Sequence, residues 1–195
     1  MTIRRVTGRK EDLELITPPE LIQAANMVMG NIDLDPASSK VAQEHVQADS
    51  FFTPQMDGLN AQLWFGKVYL FPPSGCYFFD KKLDKWKMTR ASSPSLVSSH
   101  AVWFRKLYEK WLANEVEQAI YFSNCPDMIR YEQKMFDFPI CFLRTVPRLI
   151  KNTSLGIGKH QTCTSFAVYL QPKNDASEAT MNFVDVYQQF GRVVY

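Results

Sequence analysis

The chain has 195 residues, 46% apolar and 22% charged, enough to bury one sizeable core and within the range of a single α/β domain. Its formal net charge is only +2, so affinity for a polyanion must come from a local patch and not from a global field. The four cysteines lie far apart with no C-x-x-C pair, and the three histidines sit outside ligand spacing, which argues for reduced thiols, no structural zinc and an intracellular setting, cytoplasm or nucleus. No apolar run reaches membrane-span length, and the basic amino terminus lacks the apolar core of a secretory signal, so no membrane association is expected.

Residues 1–15 are charged and mixed and read as a flexible arm, leaving 16–195 as one domain. Thr17-Pro18-Pro19-Glu20 then opens a helix: Thr17 can cap, Pro18 suits the first helical position, and Glu20 completes a capping box. Leu21, Ala24, Ala25, Val28 and Met29 follow at helical spacing, and Gly30 supplies the stop. Asn31 to Pro36 reads as a short strand with an acidic tip, followed by a helix capped by Ser38 or Ser39 and running to about Gln47. Strand, acidic tip, turn and helix is how a nucleotide-binding α/β fold begins, although the Gly-rich dinucleotide fingerprint is missing.

Asp49 to Thr53 reads as a further short strand and Pro54 to Asn60 as a loop. Lys67-Val68-Tyr69-Leu70-Phe71 has the composition of a buried strand, and Pro72-Pro73-Ser74-Gly75 stops it. In open α/β sheets ligands bind outside the carboxyl ends of strands, which makes this turn a candidate site; a loop merely stiffened by prolines is the alternative. Residues 75–96 then read as a long basic loop, carrying Lys81, Lys82, Lys85, Trp86, Lys87 and Arg90. Lysines and arginine would pair with phosphates and Trp86 would stack on a base; the alternative is a solvated loop whose tryptophan packs back onto the core.

A long amphipathic helix is predicted from about Ser95 to Val116, a strand over Ala119 to Phe122, a short helix from Asp127 to Phe136, and a strand over Ile140 to Leu143. Val146 to Thr162 reads as a loop whose Gly156, Gly158 and Lys159 do not fit the phosphate-loop spacing. Thr164 to Leu170 is a strand, Ser177 to Phe190 a helix and Arg192 to Tyr195 a last strand. Strands alternating with helices imply an α/β fold with a doubly wound, mostly parallel sheet.

Three segments together resemble the phage-type DNA N6-adenine methyltransferase family. They are Thr17 to Glu20 with Ile32 to Ser39; Asp57-Gly58-Leu59 to Trp64-Phe65-Gly66 and on through Pro73; and Phe138 to Arg144 with Ser165 to Leu170. The order and spacing agree from about Thr17 to the carboxyl terminus. The resemblance implies a Rossmann-like methyltransferase fold, S-adenosylmethionine as methyl donor, and adenine in DNA as acceptor. It makes Asp33, Asp35, Pro36, Ala37 and Ser38 one wall of the cofactor pocket, with Asp35 meeting the methionine amino group and Thr17 and Pro18 close by. It makes Phe71-Pro72-Pro73-Ser74 the counterpart of the family's catalytic Asn-Pro-Pro-Tyr loop.

That loop accepts hydrogens from the exocyclic amine as charge develops, and its aromatic residue stacks on the flipped base. Here Phe71 replaces the amide acceptor and Ser74 replaces the stacking aromatic. Loss of one such electrostatic partner costs on the order of 10²–10³ in rate, and loss of a stacking face roughly 1–3 kcal/mol of base capture. Tyr77, Phe78 or Trp86 are candidate substitute faces and Asp80 a candidate substitute acceptor. Two other readings stand beside adenine methylation: a catalytically inactive module of the same fold that binds DNA or RNA, and a methyltransferase for another acceptor.

Overall fold

The computed structural model of the protein describes residues 14–89, 96–153, 156–161 and 164–195. In chain order the elements are β1 (Glu14–Ile16), α1 (Pro19–Met29), β2 (Leu34–Asp35), α2 (Gln43–Val46), β3 (Ser50–Phe51), β4 (Gly66–Leu70), β5 (Cys76–Asp80), β6 (Lys85–Thr89) and β7 (Val97–Ser98). Then follow α3 (Ser99–Leu112), β8 (Val116–Ser123), α4 (Met128–Tyr131), a 3₁₀ turn (Gln133–Asp137), β9 (Ile140–Leu143), β10 (Arg148–Thr153), β11 (Gly156–Gln161), β12 (Phe166–Leu170), α5 (Ala176–Tyr187) and β13 (Gly191–Val194).

The protein is mixed α/β, built on a seven-stranded sheet of order β13-β9-β12-β8-β4-β2-β3. Pairings β2/β3, β2/β4 and β4/β8 are parallel, whereas β8/β12, β12/β9 and β9/β13 are antiparallel. This corrects the expected mostly parallel sheet. The chain leaves β8 through α4 and the 3₁₀ turn and returns as β9, parallel to β8 but one strand-width away. β12 fills that gap from the opposite direction, so the helical connections still join parallel strands while every pairing on that side is antiparallel.

Both faces of the sheet are covered, as expected for strands with almost no exposed position. Val68, Leu70, Ala119, Tyr121, Val168 and Leu170 pack on one side against Val102, Trp103, Phe104 and Leu107 of α3. The alternate residues Tyr69, Ile120, Phe122, Ala167 and Tyr169 pack on the other against α1 and α5, including Ala25, Val28, Phe183 and Tyr187. Among the described residues, no helix is long and apolar enough to cross a membrane.

Several segments differ locally from the sequence-based expectation. The helix expected up to about Gln47 is the single turn Gln43–Val46. The one expected from about Ser95 to Val116 spans Ser99–Leu112, because Val97–Ser98 pairs as β7 and Val116 opens β8. Glu14 and Leu15, placed in the arm, pair with Asn152 and Lys151 of β10, and residues 1–13 lie outside the described residues. The loop expected over 146–162 is mostly the antiparallel pair β10/β11, which joins β1 in a small sheet. The basic loop of 75–96 is for most of its length the hairpin β5/β6, with β7 on its other side. Arg90 lies outside the described residues.

Helix α1 begins one residue later than its capping box implies. Pro18 is the N-cap, its carbonyl accepts the Leu21 and Ile22 N–H groups at 3.0 and 3.3 Å, and Thr17 makes no cap. Gly30 ends the helix at φ +87°, a left-handed conformation that favours glycine, with its N–H donating to the Asn26 carbonyl at 2.7 Å.

Candidate functional site

The sheet reverses its direction of growth at β2, which has β3 on one side and β4 on the other. A crevice is expected outside the carboxyl ends of strands flanking such a switch point. Asp35 is the last residue of β2, Phe71 follows the last residue of β4, and Ser123 is the last residue of the adjacent parallel strand β8. The two candidate loops of the sequence therefore sit on the same edge.

Asp35 is buried, 4% exposed, and its described hydrogen-bond partners are uncharged. Its Oδ1 accepts the Ala37 N–H at 3.3 Å and its Oδ2 accepts Gln43 Nε2–H at 3.0 Å, while the same amide donates to Ser38 Oγ at 2.7 Å. Burial pushes the carboxyl up to about 6, against the opposing pull of hydrogen bonds from Ser38, Ala37 and Gln43. A desolvated carboxylate of this kind gains most from a cationic partner. Gln43 is held in turn by Ala48, whose N–H donates to Oε1 at 2.9 Å.

The neighbours expected around Asp35 have distinct placements. Thr17 is buried, and its Oγ1 accepts the Tyr69 hydroxyl at 2.7 Å, tying the start of α1 to the middle of β4. Pro18 and Pro36 are buried, Ala37 packs at the border of the core, and the Ser38 N–H donates to the Phe52 carbonyl at 2.9 Å. The Pro36 carbonyl presses so closely on Gly58 that a Cβ there would meet it at 2.0 Å, which explains the glycine of the Asp57-Gly58-Leu59 turn. Asp33 faces a different task. Its Oδ2 accepts the Lys67 N–H at 2.7 Å and its Oδ1 accepts from Asn31, so it stitches the beginnings of β2 and β4.

In the proline turn, Pro72 is buried, Pro73 half-buried and Ser74 exposed. Phe71 is half-buried, its ring meeting Phe122 edge-on at 5.0 Å and His100 at 6.3 Å between centroids. Where the resemblance would place an amide, the residue after β4 is therefore an aromatic ring packed against two others.

Behind Phe71 lies a buried polar group that the sequence did not reveal. His100 Nδ1 is 3.0 Å from Ser123 Oγ and 3.3 Å from the Tyr121 hydroxyl. Ser123 Oγ already accepts the Cys125 N–H at 3.1 Å, which leaves its own proton for Nδ1, and the Asn124 side chain bonds the ring as well. Burial pushes His100 down to about 4, so the ring is neutral at pH 7. The only sequence signal was Ser123-Asn124-Cys125-Pro126 at a strand end; the 21 to 23 residues separating His100 from its partners hid the cluster.

The described residues assigned to nucleic acid share the β5/β6 hairpin. Lys81 and Lys82 are exposed at its turn, and Lys85 is half-buried. Lys87 Nζ pairs with Asp80 at 2.8 Å, and Asp80 also accepts the Lys82 and Leu83 N–H groups, so this carboxylate shapes the turn. Trp86 packs against the core; its N–H donates to Asn60 Oδ1 and its carbonyl accepts Asn60 Nδ2–H, both at 3.0 Å. Phe79, 43% exposed and edge-on to Trp86 at 5.4 Å, is the more open ring.

No family model matches the chain, and no curated protein and no solved structure matches it.

Proposed function

We propose that the protein is a methyltransferase of the S-adenosylmethionine-dependent type, acting on adenine N6 in DNA at a rate depressed by its altered acceptor loop. The observation that carries this reading is the convergence of Asp35 and Phe71-Pro72-Pro73-Ser74 on one sheet edge at the switch point. The donor's ammonium would pair with the Asp35 carboxylate, whose hydrogen-bond partners are uncharged and which has the Glu14 carboxylate near it, and its methyl group would face the turn after β4. The Pro72-Pro73 turn would present backbone carbonyls to the amine, while Phe71 offers no acceptor.

A second reading is favoured by the packing of Phe71 on Phe122 and His100. There the aromatic ring occupies the space an amide acceptor needs, and the protein binds donor and nucleic acid without adenine transfer. The test is transfer of labelled methyl from S-adenosylmethionine to adenine-containing DNA by wild type and by Phe71→Asn with Ser74→Tyr. Slow transfer by wild type and faster transfer by the double variant support the first reading. Transfer by the double variant alone supports the second, and no donor binding by either protein contradicts both.

A further inference from the structure

A groove of about 400 Å³ opens between the β5/β6 hairpin and α3, on the flank of the hairpin, and its lining includes neither Asp35 nor the turn after β4. This volume falls within the range of small-ligand sites. One wall is aromatic: Phe79 lies across from Trp86 in the hairpin register with the rings edge-on, and Asn60 holds the Trp86 backbone through both its N–H and its carbonyl. Val102 of α3 forms an apolar base. The rim is cationic on balance, with Lys85, Arg105 and Lys106 against Asp84 and Glu109.

The cations differ in their availability. Arg105 donates to Glu132 at 2.6 Å yet keeps 43% of its side chain exposed, leaving guanidinium edges free for a second acceptor. Lys106 has no described ion pair within salt-bridge distance, and burial together with the nearby Lys110 ammonium holds it below the ordinary lysine range. Lys110 itself is occupied by Glu115 and the Gln62 carbonyl, both at 2.6 Å. An anion beside Lys106 would relieve that repulsion. Lys81 and Lys82 continue the positive rim past the end of the groove onto the hairpin turn, which suits a chain of phosphates better than a single one.

We propose that this groove holds one nucleotide of a single strand, with its base on the face of Phe79 and its phosphate between Lys85, Lys106 and Arg105. Phe79 is five residues beyond Ser74, across the bend at Ser74 and Gly75 and then along β5, so the two lie at most about 17 Å apart at ~3.4 Å per residue. The groove lining includes none of Phe71 to Ser74, so a base bound there is a neighbour of the target and not the target itself, and the groove fixes which strand enters and in what register. Nucleic acid as the partner rests on the function proposed above, whereas the groove residues are distinct from Asp35 and its partners.

The test is fluorescence anisotropy with a labelled dodecathymidylate, which contains no adenine, and with free thymidine monophosphate as a competitor. Phe79→Ala is expected to weaken oligonucleotide binding about tenfold, and Lys106→Gln to lower the slope of log K against log salt by about 0.7. Both variants should take up S-adenosylmethionine as wild type does. Failure of wild type to bind the oligonucleotide, or binding unchanged in both variants, overturns the groove assignment even if the donor binds. Monophosphate competing as strongly as the oligonucleotide overturns the strand in favour of a free nucleotide. Oligonucleotide binding lost in the variants, in a protein that takes up no donor, upholds the groove and contradicts the methyltransferase reading.

Discussion

Phe71 meets Phe122 edge-on, with ring centroids 5.0 Å apart and planes at 72°, and so ties the turn after β4 to the carboxyl end of β8. The contact packs the turn after β4 against the core. Phe71→Asn should place a side-chain acceptor at that turn and also loosen it. Because the ring is only half-buried, the expected loss of unfolding free energy is about 1–2 kcal/mol, below that of a fully buried phenylalanine. Urea denaturation of wild type and variant measures it; an unchanged midpoint would mean that the aromatic contact contributes nothing.

Donor affinity should depend on pH through Asp35. Its carboxyl is raised from 3.8 to about 6, so it is mostly protonated at pH 5 and mostly ionised at pH 7. If the ammonium of S-adenosylmethionine requires the carboxylate, the apparent affinity rises about tenfold over that interval. Calorimetric titrations at the two pH values check this, and Asp35→Asn should bind weakly and flatten the dependence.

Stability should carry two opposing acid responses. His100 falls from 6.5 to about 4 on folding, so below pH 6.5 the unfolded chain takes up a proton that the folded chain refuses. Its contribution is fully present above 6.5 and is lost as pH falls toward 4. Asp35 has the reverse sign: the folded state holds the proton more tightly between 3.8 and about 6, so its burial is less costly as pH falls through that window. Wild type should therefore show a shallow pH dependence between about 4 and 6. Asp35→Asn should lose stability with acid more steeply than wild type, and His100→Gln less steeply, as read from denaturation midpoints at pH 4.5 and 6.5.

Asn60 bonds both the N–H and the carbonyl of Trp86, doing for β6 what a neighbouring strand would do. Asn60→Ala leaves both groups without that partner and should cost about 1–3 kcal/mol. The loss should be concentrated in the hairpin, with faster amide exchange at Trp86 and little change in β8. Uniform acceleration across the sheet would contradict a local role.

The parts of the fold that were legible in the sequence are those whose apolar spacing has one solution. Leu21, Ala24, Ala25 and Val28 predicted α1, and the runs ending at Phe71, Leu143 and Leu170 predicted β4, which stops one residue short at Leu70, β9 and β12. The hairpin strand Lys85-Trp86-Lys87-Met88 also alternates, but lysines among the apolar residues made it resemble a solvated loop. The antiparallel half of the sheet was hidden because β12 inserts between β8 and β9, a pairing that only tertiary packing specifies. At the site, Asp35 and the proline turn were visible as strand ends. His100, Tyr121 and Ser123 were not, since single polar residues inside apolar stretches gain meaning only when α3 is laid against β8.

The most direct measurement is isothermal titration of the protein with S-adenosylmethionine at pH 7.5, set beside Asp35→Ala. Saturable heat with one-to-one stoichiometry in wild type, abolished in the variant, is the predicted result. No heat at high protein concentration, or equal binding by both proteins, would contradict a donor site built around Asp35.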